Sequence, residues 1–247
     1  CQAGVDMVMS MADPESDDTD IILSCGAAMG NEMHRLRTVG ILKTLEEQYG
    51  ITFDIDAEML AVVDEDTHIE AGKLSVDICP GYLEIPAITD EALKIINSGS
   101  GNVLFSVGPV STVSDALKDR KIRYGVIDCY SEENRLAFPN SSIDFVAGKY
   151  QSEIGPAFAA LYNAITGNAE VFRINGKAFR LTQGFWNSCG SGEYEEKYGL
   201  ASGAAVTAYN YDDLYSVISD INPEADFEDF KALTEAYSYE ECLERRQ

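Results

Sequence analysis

Positive charge is scarce in this chain. Eighteen Lys and Arg stand against 42 Asp and Glu in 247 residues, giving a formal net charge of −24 and a pI near 4.2. Nucleic acid and anionic membrane surfaces both call for a basic face, so the composition argues against either partner. A solvated acidic surface is the plain interpretation. Long apolar runs are missing as well: no stretch approaches the ~20 residues that a membrane-crossing helix needs, and no signal peptide is evident. Histidine is limited to His34 and His68, which leaves little for a His-based metal centre. The six cysteines (Cys1, Cys25, Cys79, Cys129, Cys189 and Cys242) are scattered without a C-x-x-C pair, so neither a zinc site nor a disulfide scaffold is expected. Cys25 and Cys129 lie in or beside expected strands and read as buried thiols.

Catalytic signatures are equally thin. Gly99-Ser100-Gly101 precedes a strand, the wrong order for a dinucleotide fingerprint, and Gly190-Ser191-Gly192 sits in a loop. There is no P-loop, G-x-S-x-G elbow or H-E-x-x-H. A carboxylate pair such as Asp64 and Asp66 is better explained as surface in a chain with 42 acidic residues. The sequence therefore predicts no enzyme, no metal and no cofactor.

What is present is a strand–helix alternation between residues 102 and 168. Asn102–Val107, Ile122–Asp128 and Ile143–Ala147 are apolar, β-rich runs. Ser111–Lys121 and Tyr150–Thr166 are helical, the latter closed by Gly167-Asn168. Such alternation predicts a mostly parallel, Rossmann-like α/β sheet with helices on both faces, binding its ligand at the carboxyl ends of the strands. Upstream, Ile21–Cys25 reads as a strand, Gly26–Gly30 as a small-residue loop and Asn31–Tyr49 as a helix capped by Gly50. An apolar stripe at Met33, Leu36, Val39, Leu42, Leu45 and Tyr49 assigns that helix its buried face. Ile51–Ile55 reads as the next strand, residues 57–88 as an insertion or elaborated loop, and Thr89–Asn97 as a helix with Thr89 as its N-cap. Beyond residue 168, Phe172–Ile174 and Ala178–Leu181 form a hairpin hinged on Asn175-Gly176. Tyr194–Val206 and Asp212–Ser219 look helical, and Asp226–Arg246 is an acidic, aromatic-rich helical tail.

Position singles out four residues. Arg35, in the first turns of the helix after strand 21–25, suits vicinal hydroxyls or a carboxylate, or equally pairs with a surface acid. Its neighbour Arg37 is taken to point elsewhere round the helix. Asp128 ends a strand and either accepts ligand hydroxyls or caps the next helix, a role for which Ser131 competes. Lys149 follows Gly148 between strand and helix, as a hinge contact or a solvated loop lysine. Trp186, beside Phe185, is a stacking platform for a sugar face or a lid on the core.

Four stretches carry a family likeness. Gly4-Val5-Asp6-Met7-Val8…Asp13-Pro14-Glu15 looks like a "GVD…DPE" strand, and Arg35–Gly40 like an "R-x-R-x-x-G" helix. Tyr124–Asp128 looks like "VVGFD", and Ala147–Gly167 like a hinge-crossing segment and the helix after it. In this order they resemble the type I periplasmic substrate-binding proteins of ABC transporters, the ribose/galactose-binding group. The resemblance covers roughly residues 1–168. It implies residues 1–20 as the remnant of an N-terminal lobe, 21–148 as the C-terminal α/β lobe, and 149–247 as a hinge-crossing helix, hairpin and helical tail. It places Arg35 and Asp128 on ligand-binding positions and Lys149 where a Gln meets ligand at the hinge. Gly108-Pro109 stands where the family has Asn-Asp, removing one polar contact. The implied function is extracytoplasmic delivery of a small polar ligand, sugar-like, to an ABC importer permease. A ligand-sensing regulatory or receptor domain of the same fold is the alternative. The chain is then expected to hold mainly a C-terminal lobe, and Cys1 reads alternatively as the lipid-modified start of a mature lipoprotein.

Overall fold

Ile21, Ile22 and Leu23 are all buried, so this strand is covered on both faces, as its unbroken apolar run requires. The computed structural model describes residues 2–16, 19–25, 30–99, 101–140, 143–149, 154–178, 180–202 and 208–245. In chain order the elements begin with α1 (Gln2–Met11), β1 (Thr19–Cys25), α2 (Glu32–Tyr49) and α3 (Ala57–Leu60). There follow β2 (Thr67–Ala71), β3 (Leu74–Pro80), α4 (Pro86–Ser98), β4 (Val103–Ser106), α5 (Ser114–Arg120), β5 (Arg123–Cys129), α6 (Glu132–Ala137) and β6 (Ile143–Lys149). The rest comprises α7 (Gly155–Ile165), β7 (Arg173–Ile174), β8 (Lys177–Ala178), β9 (Trp186–Ser188), α8 (Ser191–Ser202), α9 (Tyr211–Ser216), α10 (Phe227–Glu235) and α11 (Tyr239–Glu244).

Seven strands form one mixed, mostly parallel sheet in the order β2-β3-β1-β4-β5-β6-β9. This α/β arrangement is compatible with a Rossmann-like fold. From β1 the chain goes out to β3 on one side and then returns to β4 on the other, so the strand order reverses between β1 and β4. Helices leaving adjacent strands in opposite directions open a crevice at such a point. The chain divides into two compact units, 1–148 with 187–194 and 149–186 with 195–247. The first holds nearly all of the seven-stranded sheet. In the second, Ala159, Phe172, Val217, Ile218 and Phe230 form a small core.

Several expectations give way. Residues 2–11 are a helix, not a strand of another lobe: Met7, Val8 and Met11 are buried, and Met7 and Met11 lie over Gly125 of β5. Gly4 permits the close approach of α1 to α2, since a methyl there would overlap the Arg37 carbonyl oxygen. Gly4→Ala is therefore expected to cost about 1–3 kcal/mol, because backbone rather than a side chain must yield. Urea denaturation checks this, and an unchanged midpoint would mean that α1 is not packed there.

Residues 57–88 are not a loop, because β3 pairs with β1 along its whole length and α3 and β2 precede it. The alternation of Leu74, Val76 and Ile78 carried that signal, and Pro80 and Pro86 only bound the elements. Residues 51–55 are not a strand, although Phe53 is buried with its N–H on Glu46 Oε1. Helix α4 begins at Pro86, and Thr89 lies inside it, its hydroxyl donating to the Leu83 and Ile85 carbonyls. Cys25 is buried, but Cys129, the last residue of β5, is exposed. Cys1, residues 26–29 of the small-residue loop and Tyr150 lie outside the described residues. Gly50 takes the left-handed conformation at the end of α2, and Asn175 and Gly176 take it in the β7–β8 turn, as their residue types anticipate.

Candidate functional site

The crevice between the carboxyl ends of β1 and β4 is built by the first turns of α2. Asn31 caps that helix, its side-chain oxygen accepting from the Met33 and His34 N–H groups at 3.0 and 3.3 Å. Its Nδ2 donates to the Tyr82 hydroxyl at 3.0 Å, tying the cap to the loop after β3. His34 packs edge-on against the Tyr82 ring, with centroids 5.1 Å apart. Together with Ser24, Gly81, Val107 and Gly108 these two rings line a narrow cleft.

His34 is only 8% exposed, and its Nδ1 has no hydrogen-bond partner among the described residues. Burial first, and then the nearby Arg37 cation, lower its pKa to about 4, so the imidazole is neutral at physiological pH. Arg37 lies one turn further along α2 and donates from Nη1 to the Val107 carbonyl at 2.9 Å. Burial pulls its pKa below the ordinary arginine value, and the Asp128 carboxylate partly offsets this. At the end of β5, Asp128 accepts at Oδ2 from Asn134 Nδ2 at 2.9 Å. It does not cap α6, because Ser131 does so by accepting from the Asn134 N–H. A neutral imidazole, a guanidinium and a carboxylate thus meet at one end of the sheet. They offer charged and neutral hydrogen bonds to a polar ligand, the Ser24 hydroxyl lines the same cleft, and no metal-ligand cluster occurs among the described residues.

Arg37, not Arg35, is the arginine on this face. The buried side of α2 runs through His34, Thr38, Ile41, Leu42 and Leu45, whereas Met33 and Leu36 are exposed. Met33 and Leu36, expected on the buried stripe, instead face outward on the first turns of the helix. The Arg35 guanidinium is bound outside by Glu32 and Glu58, the surface pairing its sequence context allowed.

Lys149 and Trp186 belong to the second unit and meet around Tyr237. The Lys149 ammonium donates to Gln183 Oε1 at 2.7 Å and lies 5.5 Å from the Tyr237 ring centre. Trp186 is 2% exposed, stacks on Tyr237 at 5.5 Å and donates from Nε1 to the Tyr237 carbonyl at 2.8 Å. It is a core residue with no accessible ring face for a sugar. Sequence reasoning missed His34 altogether. The signal was its place three residues after an Asn N-cap, on the face that continues to Thr38 and Ile41.

No protein-family model, curated protein or solved structure matches this chain.

Proposed function

We propose that this chain is a solute-binding protein whose first unit holds a small polar ligand, sugar-like in chemistry, at the β1/β4 crevice. In this role it works outside the cytoplasm and passes the ligand to an ABC importer, as the family resemblance implies. The observation that carries the proposal is the buried His34 Nδ1, without a partner among the described residues, beside Arg37 and Asp128 at the point where strand order reverses. A buried polar atom left unmade costs on the order of 1–3 kcal/mol, which a ligand hydroxyl would recover if the narrow cleft opens enough to admit it. Arg37 and Asp128 then supply a charged donor and a charged acceptor, the pairing that vicinal hydroxyls satisfy.

The test is a thermal-shift panel of sugars, polyols and nucleosides on the full chain, followed by calorimetric titration of the best ligand. Asp128→Asn preserves shape but removes the charge, and should weaken binding roughly ten- to a hundredfold. Arg37→Gln should weaken it comparably. A panel without a single stabilising compound, or unchanged affinity in both variants, would sink the proposal.

A further inference from the structure

The same sheet has a second opening at its opposite end, where the strands begin. A cavity of about 210 Å³ lies there between the end of α1, the end of α2 and the starts of β1, β4 and β5. Its floor is apolar: Ile21 pairs with Val103 across β1 and β4, with Phe105 two residues further along β4, and Met11 closes the side. An apolar cavity of about 150 Å³ accommodates benzene, so this one admits a branched alkyl or benzyl group with room for a polar head.

The rim is polar and fixed. The Tyr49 hydroxyl accepts from the Asp13 N–H at 3.2 Å and donates to Thr19 Oγ1 at 3.4 Å. Arg123 pairs in register with Val103, so its side chain leaves from the same face as the floor. Its Nε is taken by Asp144, while neither Nη has a protein partner among the described residues. Two parallel Nη donors suit a carboxylate. The Asp13 carboxylate, exposed on the same rim, also lacks a partner among the described residues. A simple anion would meet Asp13, Asp144 and a chain of net charge −24, and a simple cation would meet Arg123. A molecule carrying both charges meets neither objection.

We propose that this cavity is a second ligand site, and that it takes a small zwitterion with an apolar body, the chemistry of a free aliphatic or aromatic amino acid. The carboxylate sits on the Arg123 Nη pair, the ammonium on Asp13, and the side chain on Ile21, Val103 and Phe105. It lies at the opposite end of the strands from His34, Arg37 and Asp128 and does not depend on the function proposed for them.

Methyl-labelled NMR of the full chain, titrated with L-leucine and L-phenylalanine, tests it directly. Saturable shifts are expected at the methyls of Met11, Ile21 and Val103, with none at Leu83 or Val107, which line the crevice. Isovalerate and 3-methylbutylamine, each carrying one of the two charges, should bind roughly ten- to a hundredfold more weakly than leucine. Arg123→Gln and Asp13→Asn should each weaken leucine by a similar factor while leaving the crevice ligand unaffected. Absence of saturable shifts, a half-charged probe equal to leucine, or full leucine affinity in both variants would overturn the proposal.

Discussion

Trp186→Ala is expected to destabilise the second unit by about 3–5 kcal/mol, the cost of emptying a large buried aromatic site. For a chain of this size that corresponds to a fall in melting temperature on the order of 10 °C. The loss includes the stack on Tyr237, the edge contact with Tyr239 at 5.6 Å and the Nε1 bond to the Tyr237 carbonyl. Trp186→Phe keeps most of the apolar area and drops that bond, so it should cost only about 1 kcal/mol plus the volume difference. Circular dichroism melts of both variants provide the comparison, since the chain has no other tryptophan to report by fluorescence. A surface platform would behave in the opposite way, with ligand affinity falling and the melt unmoved. That outcome would overturn the assignment of Trp186 to the core.

The second large effect belongs to His34 and appears with pH. Its folded pKa, about 4, lies below the value of about 6.5 for an exposed imidazole. As pH falls, the unfolded chain therefore takes up the proton first. Stability from the neutral, buried ring is fully present above pH 6.5 and drains away as pH drops towards 4. At 1.36 kcal/mol per pH unit, the loss is about 2 kcal/mol by pH 5 and about 3 kcal/mol by pH 4. His34→Gln carries no such proton, so its urea midpoint should fall less steeply across this window. Comparing the two proteins at each pH cancels the titration of the many carboxylates they share. Parallel profiles for wild type and variant would show that His34 does not titrate differently on folding.

The legible parts of the fold were those where pattern and punctuation agree. Val103–Ser106, Arg123–Cys129 and Ile143–Lys149 are short apolar runs set between turns and helices, and the sequence placed all three. Asn175-Gly176 and Gly50 were equally plain because few residues adopt their conformations cheaply. The β2–β3 hairpin was lost because two prolines drew attention away from a period-2 alternation. Residues 2–11 were misread because small and apolar residues in a short helix also suit a strand, and only packing against α2 and β5 decides. The crevice followed the same division. Asp128 could be placed at a strand end from sequence, but the choice between Arg35 and Arg37 turns on helix phase. Two exposed apolar residues, Met33 and Leu36, were enough to shift that phase. The burial of His34, with its Nδ1 unpartnered among the described residues, is a property of three dimensions with no counterpart in the linear order.

The first unit is interrupted in sequence by part of the second, and this bears on the order in which the protein is made. Strand β6 is next to β9 in the sheet, yet the segment between them builds the other unit. Tyr194, which stacks on Tyr130 at 4.8 Å and binds the Ser131 N–H through its hydroxyl, is more distant still. At ribosomal rates of about 5–20 residues per second, the edge of β6 waits some seconds for its last neighbour. An uncovered sheet edge is a template for pairing with other chains. A nascent chain stalled between β6 and β9 would therefore present that edge to other chains, and the few residues from Asn187 to Tyr194 end the exposure.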